Sequence, residues 1–364
     1  MRNPVVAAAG ALPADWRRPL TWLAPPVGRA ALGGVLVLGA ALRLAVWWQA
    51  RSFFIDETNL LRNYAERGYA GLWQPLHYKQ YAPPLLSGLL KAATGAFGYG
   101  ERAARLVPLL AGLAALGVFG WLARRWLSPL TAVLATACFA FGGIYVEFAA
   151  TAKQYSMDVL VALALVALAE QQLRRPGLSA RATVGWAVGG AVVVWLSMPA
   201  GFVLAGVGAA LVWQVGRGHA PASAWGRLAV LALAWGGSFG AYFLLLLRTD
   251  AHAPVLQQFH TPYFLLFPPR SSADWTGLGQ QLLGLIDRAF GKTVVAVALA
   301  AGGFLVGAGH LLWRAPARAL LLLVPLVAAL AASMLHYYSL MPRLMLFTMP
   351  ALVLIIFSGV QLGL

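Results

Sequence analysis

Apolar runs about as long as a bilayer is thick recur along this chain, separated by short segments that hold nearly all of its charges. A helix needs about 20 apolar residues to cross roughly 30 Å of hydrocarbon. That criterion predicts membrane helices at 29–48, 103–123, 129–148, 155–172, 183–198, 200–216, 228–247, 293–313, 318–336 and 343–362. The fifth and sixth are short and meet at Ser197-Met198-Pro199-Ala200-Gly201, so a tight hairpin or a partly re-entrant pair is expected there. The first run is too long for a signal-peptide core and no small-x-small cleavage site follows Trp47 and Trp48, which predicts an uncleaved first span.

Two intervening segments are long. Segment 49–102 contains stretches at 56–68 and 83–97 with amphipathic helical periodicity, expected to lie along the membrane surface. Segment 248–292 is rich in aromatic residues, prolines and histidines (His252, His260, Tyr263, Pro268, Pro269, Trp275), a content that argues for order. Residues 1–27 read as a flexible cytoplasmic tail and 28–364 as one transmembrane module, with no internal repeat or low-complexity tract. The predicted fold class is all-α and polytopic, with about ten transmembrane helices.

Composition sharpens this picture: 60% of the residues are hydrophobic and 10% are charged, far below the roughly 25% charge of a soluble domain. The net charge of +16 does not point to nucleic acid, because the cations are dispersed among short loops instead of lining one stripe. They act as topology signals. With the N-terminus in the cytoplasm, the inner loops carry Arg124, Arg125, Arg174, Arg175, Arg181, Arg217, Arg227, Arg314 and Arg318 against one edge acid, Glu170. The opposite side then receives Asp56, Glu57, Glu66, Glu101, Glu147, Asp158, Asp250, Asp274 and Asp287, so the chemistry is expected to face outward. The single cysteine, Cys138, excludes an intrachain disulfide.

Asp56 and Glu57 stand side by side just beyond the first span. Asp56 could be the N-cap of the following helix, with Glu57 favoured in its first turn by the helix dipole. Asn59 and Asn63 follow at i+3 and i+7, however, and a face bearing a carboxylate and two amides suits the hydroxyls of a sugar. Glu101, Arg102 and Arg105 open the second span; Glu101 and Arg105 are spaced to pair on one face, and either a structural salt bridge or a phosphate site would explain them. Asp158 lies three residues inside its span and needs a partner, with Lys153, Gln154 and Tyr155 as local candidates. Arg43 and Arg343 sit near outer ends of spans, where an arginine either anchors the helix by snorkelling or presents its planar fork to a lipid phosphate. His252 and His260 have no zinc-type spacing, and no Walker loop, dinucleotide fingerprint or Gly-x-Ser-x-Gly elbow occurs.

Several runs together resemble a known family: Phe54-Ile55-Asp56-Glu57, then Tyr81-Ala82-Pro83-Pro84-Leu85, then the segment from Phe97 to Leu106 containing Glu101, Arg102 and Arg105. They are similar to the dolichyl-phosphate-mannose protein mannosyltransferases (family 39) of the GT-C membrane glycosyltransferases. Ala152-Lys153-Gln154-Tyr155-Ser156-Met157-Asp158, Ser197-Met198-Pro199 and Arg343-Leu344 resemble later landmarks of the bacterial branch.

The resemblance implies an inverting transferase that takes a sugar from a polyprenyl-phosphate carrier on the outer face of a bacterial inner membrane. The acceptor would be a glycan, a lipid or a protein. By this likeness Asp56 is the catalytic base with Glu57 assisting. Arg105 is the arginine at the start of the second span, and with Lys153 and Arg343 it would hold the phosphate. Asn59, Asn63, Tyr81, Glu101, Tyr155 and Asp158 complete the expected substrate-binding set. One departure concerns lipid A aminoarabinose transferases, which carry Glu-Lys-Pro-Pro-Leu where this chain has Tyr81-Ala82-Pro83-Pro84-Leu85; the lysine is absent and Lys79 is its candidate substitute. No cofactor is implied, and no residue spacing indicates a divalent metal. A lipid-linked sugar flippase and an outer-face glycan polymerase are the competing readings.

Overall fold

The computed structural model describes residues 26–363 apart from 176, 219–220, 249–253 and 291–292. Most of the expected N-terminal tail, together with Asp250 and His252, therefore lies outside the described residues. Helix α1 (Pro26–Trp48) is followed by α2 (Ile55–Glu66), a 3-10 turn at Tyr69–Trp73, α3 (Pro84–Phe97) and the single turn α4 (Glu101–Ala104). Next come α5 (Leu106–Trp126), α6 (Pro129–Phe141), α7 (Gly143–Ala149) and α8 (Tyr155–Leu173). Helices α9 (Ala180–Val193), α10 (Ala200–Arg217) and α11 (Ala222–Tyr242) follow, the last continuing as a π-helical turn at Phe243–Leu247. The second long loop holds α12 (Pro254–His260) and α13 (Ser272–Phe290), before α14 (Val294–Arg314), α15 (Pro316–Met334), a 3-10 turn at Met345–Thr348 and α16 (Met349–Val360). Among the described residues there is no strand.

Each of the ten predicted apolar segments is helical. Among the described residues seven helices are long and apolar enough to cross a membrane, and α6 with α7, bent by 51°, makes an eighth if taken as one span. The remaining two are too short for a straight crossing: α9 has 14 residues and reaches only about 21 Å, and Met345–Val360 is likewise shorter. The expected surface helices are present as α2 and α3. Local sequence sets many boundaries. Prolines stand in the first turns of α3, α6, α15 and α16, where the missing N–H costs nothing. Ser179 and Thr293 cap α9 and α14 by accepting from Ala182 and Ala296.

Lipid tails are as apolar as leucine, so spans associate through close packing and buried polar contacts. Helices α14 and α16 meet at Gly303, Gly307 and Gly359, where a Cβ on Gly307 or Gly359 would strike the facing backbone. Helix α8 is the central post, with 78% of its apolar window buried against 17% for α1. The bend between α6 and α7 leaves the carbonyls of Phe139 and Ala140 without helical donors. Arg43, fully buried inside α1, supplies them: Nη1 donates to Ala140 at 2.8 Å and to Gly39 at 2.9 Å, and Nη2 to Phe139 at 3.2 Å. This corrects both readings of Arg43, which neither snorkels nor faces a lipid phosphate.

Candidate active site

The two adjacent acids of α2 have different fates. The N-cap of α2 is Phe54, and Glu57, three residues on, accepts from its backbone N–H at 3.3 Å. The capping contact expected of Asp56 thus belongs to Glu57. Glu57 is buried, and Arg105 grips it bidentately, Nε to Oε1 at 2.9 Å and Nη2 to Oε2 at 2.7 Å, while Ala152 N donates to Oε1 at 2.6 Å. The same guanidinium donates to the carbonyls of Arg51 at 2.6 Å and Ser52 at 3.5 Å. One carboxylate therefore ties the first loop, the α4–α5 junction and the turn before α8 into a single unit. One expectation changes here. Arg105 pairs with Glu57 and not with Glu101, because α4 ends after one turn and carries Arg105 away from Glu101. Both charges are thus engaged with one another inside the protein.

Asp56, one residue earlier and about 100° around the helix, faces the open side. Its Oδ2 accepts from Nη1 of Arg343 at 3.2 Å, with 29% of each side chain exposed. Arg343 stands on the loop between α15 and the Met345–Thr348 turn. That loop is held by Tyr338, whose hydroxyl donates to Leu344 O at 2.7 Å, and by Leu340 N donating to Tyr263 O at 2.9 Å. Lys153, buried in the turn before α8, donates to the side chain of Gln80. It lies within electrostatic reach of Asp56 and Arg343. Burial pulls its ammonium down to about 8; Arg343 acts the same way, and Asp56 and Glu57 oppose it.

Tyr155 and Asp158 ride on the first turn of α8. Tyr155 is within reach of the charges of Asp56, Arg343 and Asp158, and its ring packs edge-on against Phe148 at 4.8 Å. Asp158 is buried and accepts from Ser197 Oγ at 2.7 Å. Its partner is thus none of the local candidates Lys153, Gln154 and Tyr155, but the turn between α9 and α10. Tyr81 is half-buried, and its hydroxyl is shielded with no hydrogen-bond partner among the described residues.

The structure does not bring the whole polar stripe of α2 to this centre. Asn59 is half-buried one turn beyond Asp56. Asn63 is fully buried and spent on the loop, donating to Asn59 O and His77 O at 2.9 and 3.2 Å and accepting from His77 N at 2.7 Å. These contacts pin the loop at His77 against α2. Lys79 is exposed on a tight turn in which Tyr78 and Lys79 both have left-handed backbone angles, φ 61° and 53°. Glu101 is half-buried and has no ion pair among the described residues. Among the described residues no group of three or more His, Cys, Asp or Glu side chains is arranged to hold a metal ion.

Gln80, Ser197, Tyr338 and His260 join the site without having been singled out for it. His260 ends α12, half-buried and near Arg343; burial first, then that guanidinium, lowers its affinity for a proton. Its Nδ1 is shielded and has no partner among the described residues. Only the proximity of Ser197 to the expected hairpin and of Gln80 to the Tyr-Ala-Pro-Pro-Leu run marked them in the sequence. Two small cavities of about 20 and 10 Å³ lie among the helices, and neither is lined by Asp56 or Arg343.

Comparison with family models and with curated proteins gives no match. Among solved structures, the fold is similar to that of ArnT from Cupriavidus metallidurans, both in the apo state and bound to undecaprenyl phosphate. Each superposes with a TM-score of 0.55 at 22% identity, covering 91% of this chain and 60% of the ArnT chain. The present chain thus spans about three fifths of the length of those neighbours. The likeness is one of fold, and it gives the chain its architecture: an all-helical, multi-pass membrane protein with the fold seen in ArnT.

Proposed function

We propose that this protein transfers a sugar from a polyprenyl-phosphate donor to an acceptor hydroxyl at the outer face of a bacterial inner membrane, inverting the anomeric carbon, with Asp56 as general base. The observation that carries the proposal is the part-exposed pair of Asp56 and Arg343 at 3.2 Å, beside a buried lysine. A carboxylate and two cations at one end of a helical bundle match the needs of this reaction. An acceptor hydroxyl is a poor nucleophile at neutral pH, whereas the phosphate leaving group already carries charge and needs cations more than an acid. The similar ArnT structure bound to undecaprenyl phosphate supports a polyprenyl phosphate as the carrier, and the family-39 likeness of the motif around Asp56 supports its role.

In this reading the acceptor oxygen attacks the anomeric carbon on the face opposite the phosphate as its proton passes to Asp56, and the bond from carbon to phosphate oxygen breaks with its electrons leaving on the carrier. A positioned base contributes about 10²–10⁴-fold. Arg343 and Lys153 hold the phosphate. A donor phosphate competes with Asp56 for Arg343, so the carboxylate becomes available when the donor is seated. Glu57 and Arg105 serve as positioning residues that fix the first turn of α2. Asn59 and the unpartnered hydroxyl of Tyr81 offer hydrogen bonds to sugar or acceptor, with Tyr155 and Asp158 lining the same side.

The test is incubation of the purified full chain with radiolabelled undecaprenyl-phosphate-linked sugars and a membrane extract as acceptor. Label on an acceptor with release of undecaprenyl phosphate, lost in Asp56→Asn, supports the proposal. Movement of intact donor across proteoliposomes without transfer would assign a flippase instead.

A further inference from the structure

At the end of the bundle opposite Asp56, three guanidiniums share one carboxylate. Glu170, in the last turn of α8, is completely buried, and its Oε1 meets Arg174 Nη2 at 2.6 Å, Arg318 Nη2 at 3.1 Å and Arg125 Nε at 3.6 Å. The arginines come from the ends of α5 and α8 and the start of α15, and their side chains are only 13% (Arg125), 24% (Arg174) and 16% (Arg318) exposed. Among the described residues, three cations against one anion leave a surplus of two formal positive charges in a poorly hydrated place. Glu170 is the only acid that the described residues bring to this end: Asp56, Glu57, Glu66, Glu101, Glu147, Asp158 and Asp274 belong to the other. One-to-one pairing would neutralise Glu170; the further arginines repel one another and are held at a cost in Coulomb energy.

A second observation concerns hydrogen bonds. The indole Nε1 of Trp126 is a buried donor with no acceptor among the described residues, and the buried Nε of Arg125 has only the long ion-pair contact to Glu170, beyond hydrogen-bond distance. Trp126 is nine-tenths buried, and the guanidinium of Arg318 lies over its ring at 5.1 Å. The ring of Trp121 lies under Arg125 at 5.4 Å. Surplus positive charge, an acceptor-less indole donor and a weakly satisfied guanidinium donor are thus gathered at one level of the bundle. Tryptophans and arginines at the ends of spans mark the level of lipid headgroups.

We propose that this cluster is a binding site for the phosphate of an anionic phospholipid in the leaflet away from Asp56. The phosphodiester would supply acceptors to Trp126 Nε1 and Arg125 Nε and neutralise part of the surplus, with the planar forks of the arginines suited to its oxygens. Basic pockets between spans at the cytoplasmic boundary are suited to anionic headgroups. Glu170 keeps the three arginines together while the site is empty. The inference is independent of the transferase proposal, since no residue of the Asp56 site takes part.

The test compares thermal unfolding of the full chain in nanodiscs of phosphatidylcholine alone and of phosphatidylcholine with phosphatidylglycerol. The expected result is a midpoint several degrees higher with the anionic lipid. That shift should be halved or more in Arg125→Gln and Trp126→Phe, the latter keeping the packing while removing the donor. Arg217→Gln, an arginine of the same end outside the cluster, should leave it unchanged. Equal midpoints in both lipids, or the same loss in Arg217→Gln, would overturn the site. If millimolar inorganic phosphate in phosphatidylcholine alone reproduces the whole shift, the ligand is free phosphate and the lipid assignment is overturned.

Discussion

Arg343 reaches across 287 residues of sequence to place its Nη1 at 3.2 Å from Oδ2 of Asp56. The pair is single-pronged and part-exposed, a kind worth about 0–1 kcal/mol. Its neighbour in the site, Glu57 with Arg105, is two-pronged and buried, and breaking such a pair costs about 3–5 kcal/mol. The first pair is made to open and the second to stay shut.

Asp56→Asn should lower kcat by about 100-fold or more, the range a general base supplies, while the unfolding midpoint stays close to that of the native chain. Initial rates with labelled donor, alongside thermal unfolding in detergent, check it. Near-normal turnover would falsify the assignment of Asp56 as the base.

Arg343→Ala is expected to raise KM for the lipid donor more than for the acceptor, or to lower kcat if its contact tightens as the phosphate leaves. Arg343→Lys should recover only part of the loss, because an ammonium lacks the planar fork. Donor and acceptor titrations on the same preparations separate these outcomes, and unchanged donor kinetics would remove Arg343 from the site.

Glu57→Ala should behave differently from Asp56→Asn. It strands the buried guanidinium of Arg105 and the N–H of Ala152, so the loss is first in stability, by about 3–5 kcal/mol. Denaturant or thermal unfolding measures it. A stable Glu57→Ala protein that has lost only turnover would instead make Glu57 a participant in the chemistry.

Lys153 gives the site a pH dependence. Its proton affinity is lowered to about 8 by burial, so it is a cation below that pH and is neutral above it. Donor affinity should therefore fall as pH rises through about 8. Arg stays charged throughout, so the fall should be absent in Lys153→Arg. A donor KM that is flat from pH 7 to 9 in the native chain contradicts this.

Arg43→Met retains length and apolar bulk but removes the donors to Phe139 and Ala140. Each carbonyl left unsatisfied costs about 1–3 kcal/mol, so the midpoint should fall clearly. No change would mean that the bend between α6 and α7 finds other donors.

The apolar runs alone determined that this is a multi-pass helical protein, and nearly where each helix lies, because bilayer thickness and the need to satisfy the backbone within each span leave little choice. Local chemistry also made α2 and α3 legible and marked the stretch around Asp56. Partner choice was not legible. Glu101 and Arg105 have ideal spacing for a pair, yet Arg105 turns to Glu57, 48 residues away. Asp158 bypasses its sequence neighbours for Ser197, and Asn63 is drawn from the polar stripe into the loop. Arg43 sat where a snorkelling arginine would, but the bend at Gly142 gave it carbonyls to satisfy. Sequence spacing ranks only the neighbours on one helix. In a bundle without water, each charge goes to whichever deprived group the packing brings nearest, and that is decided by helices far apart in the chain.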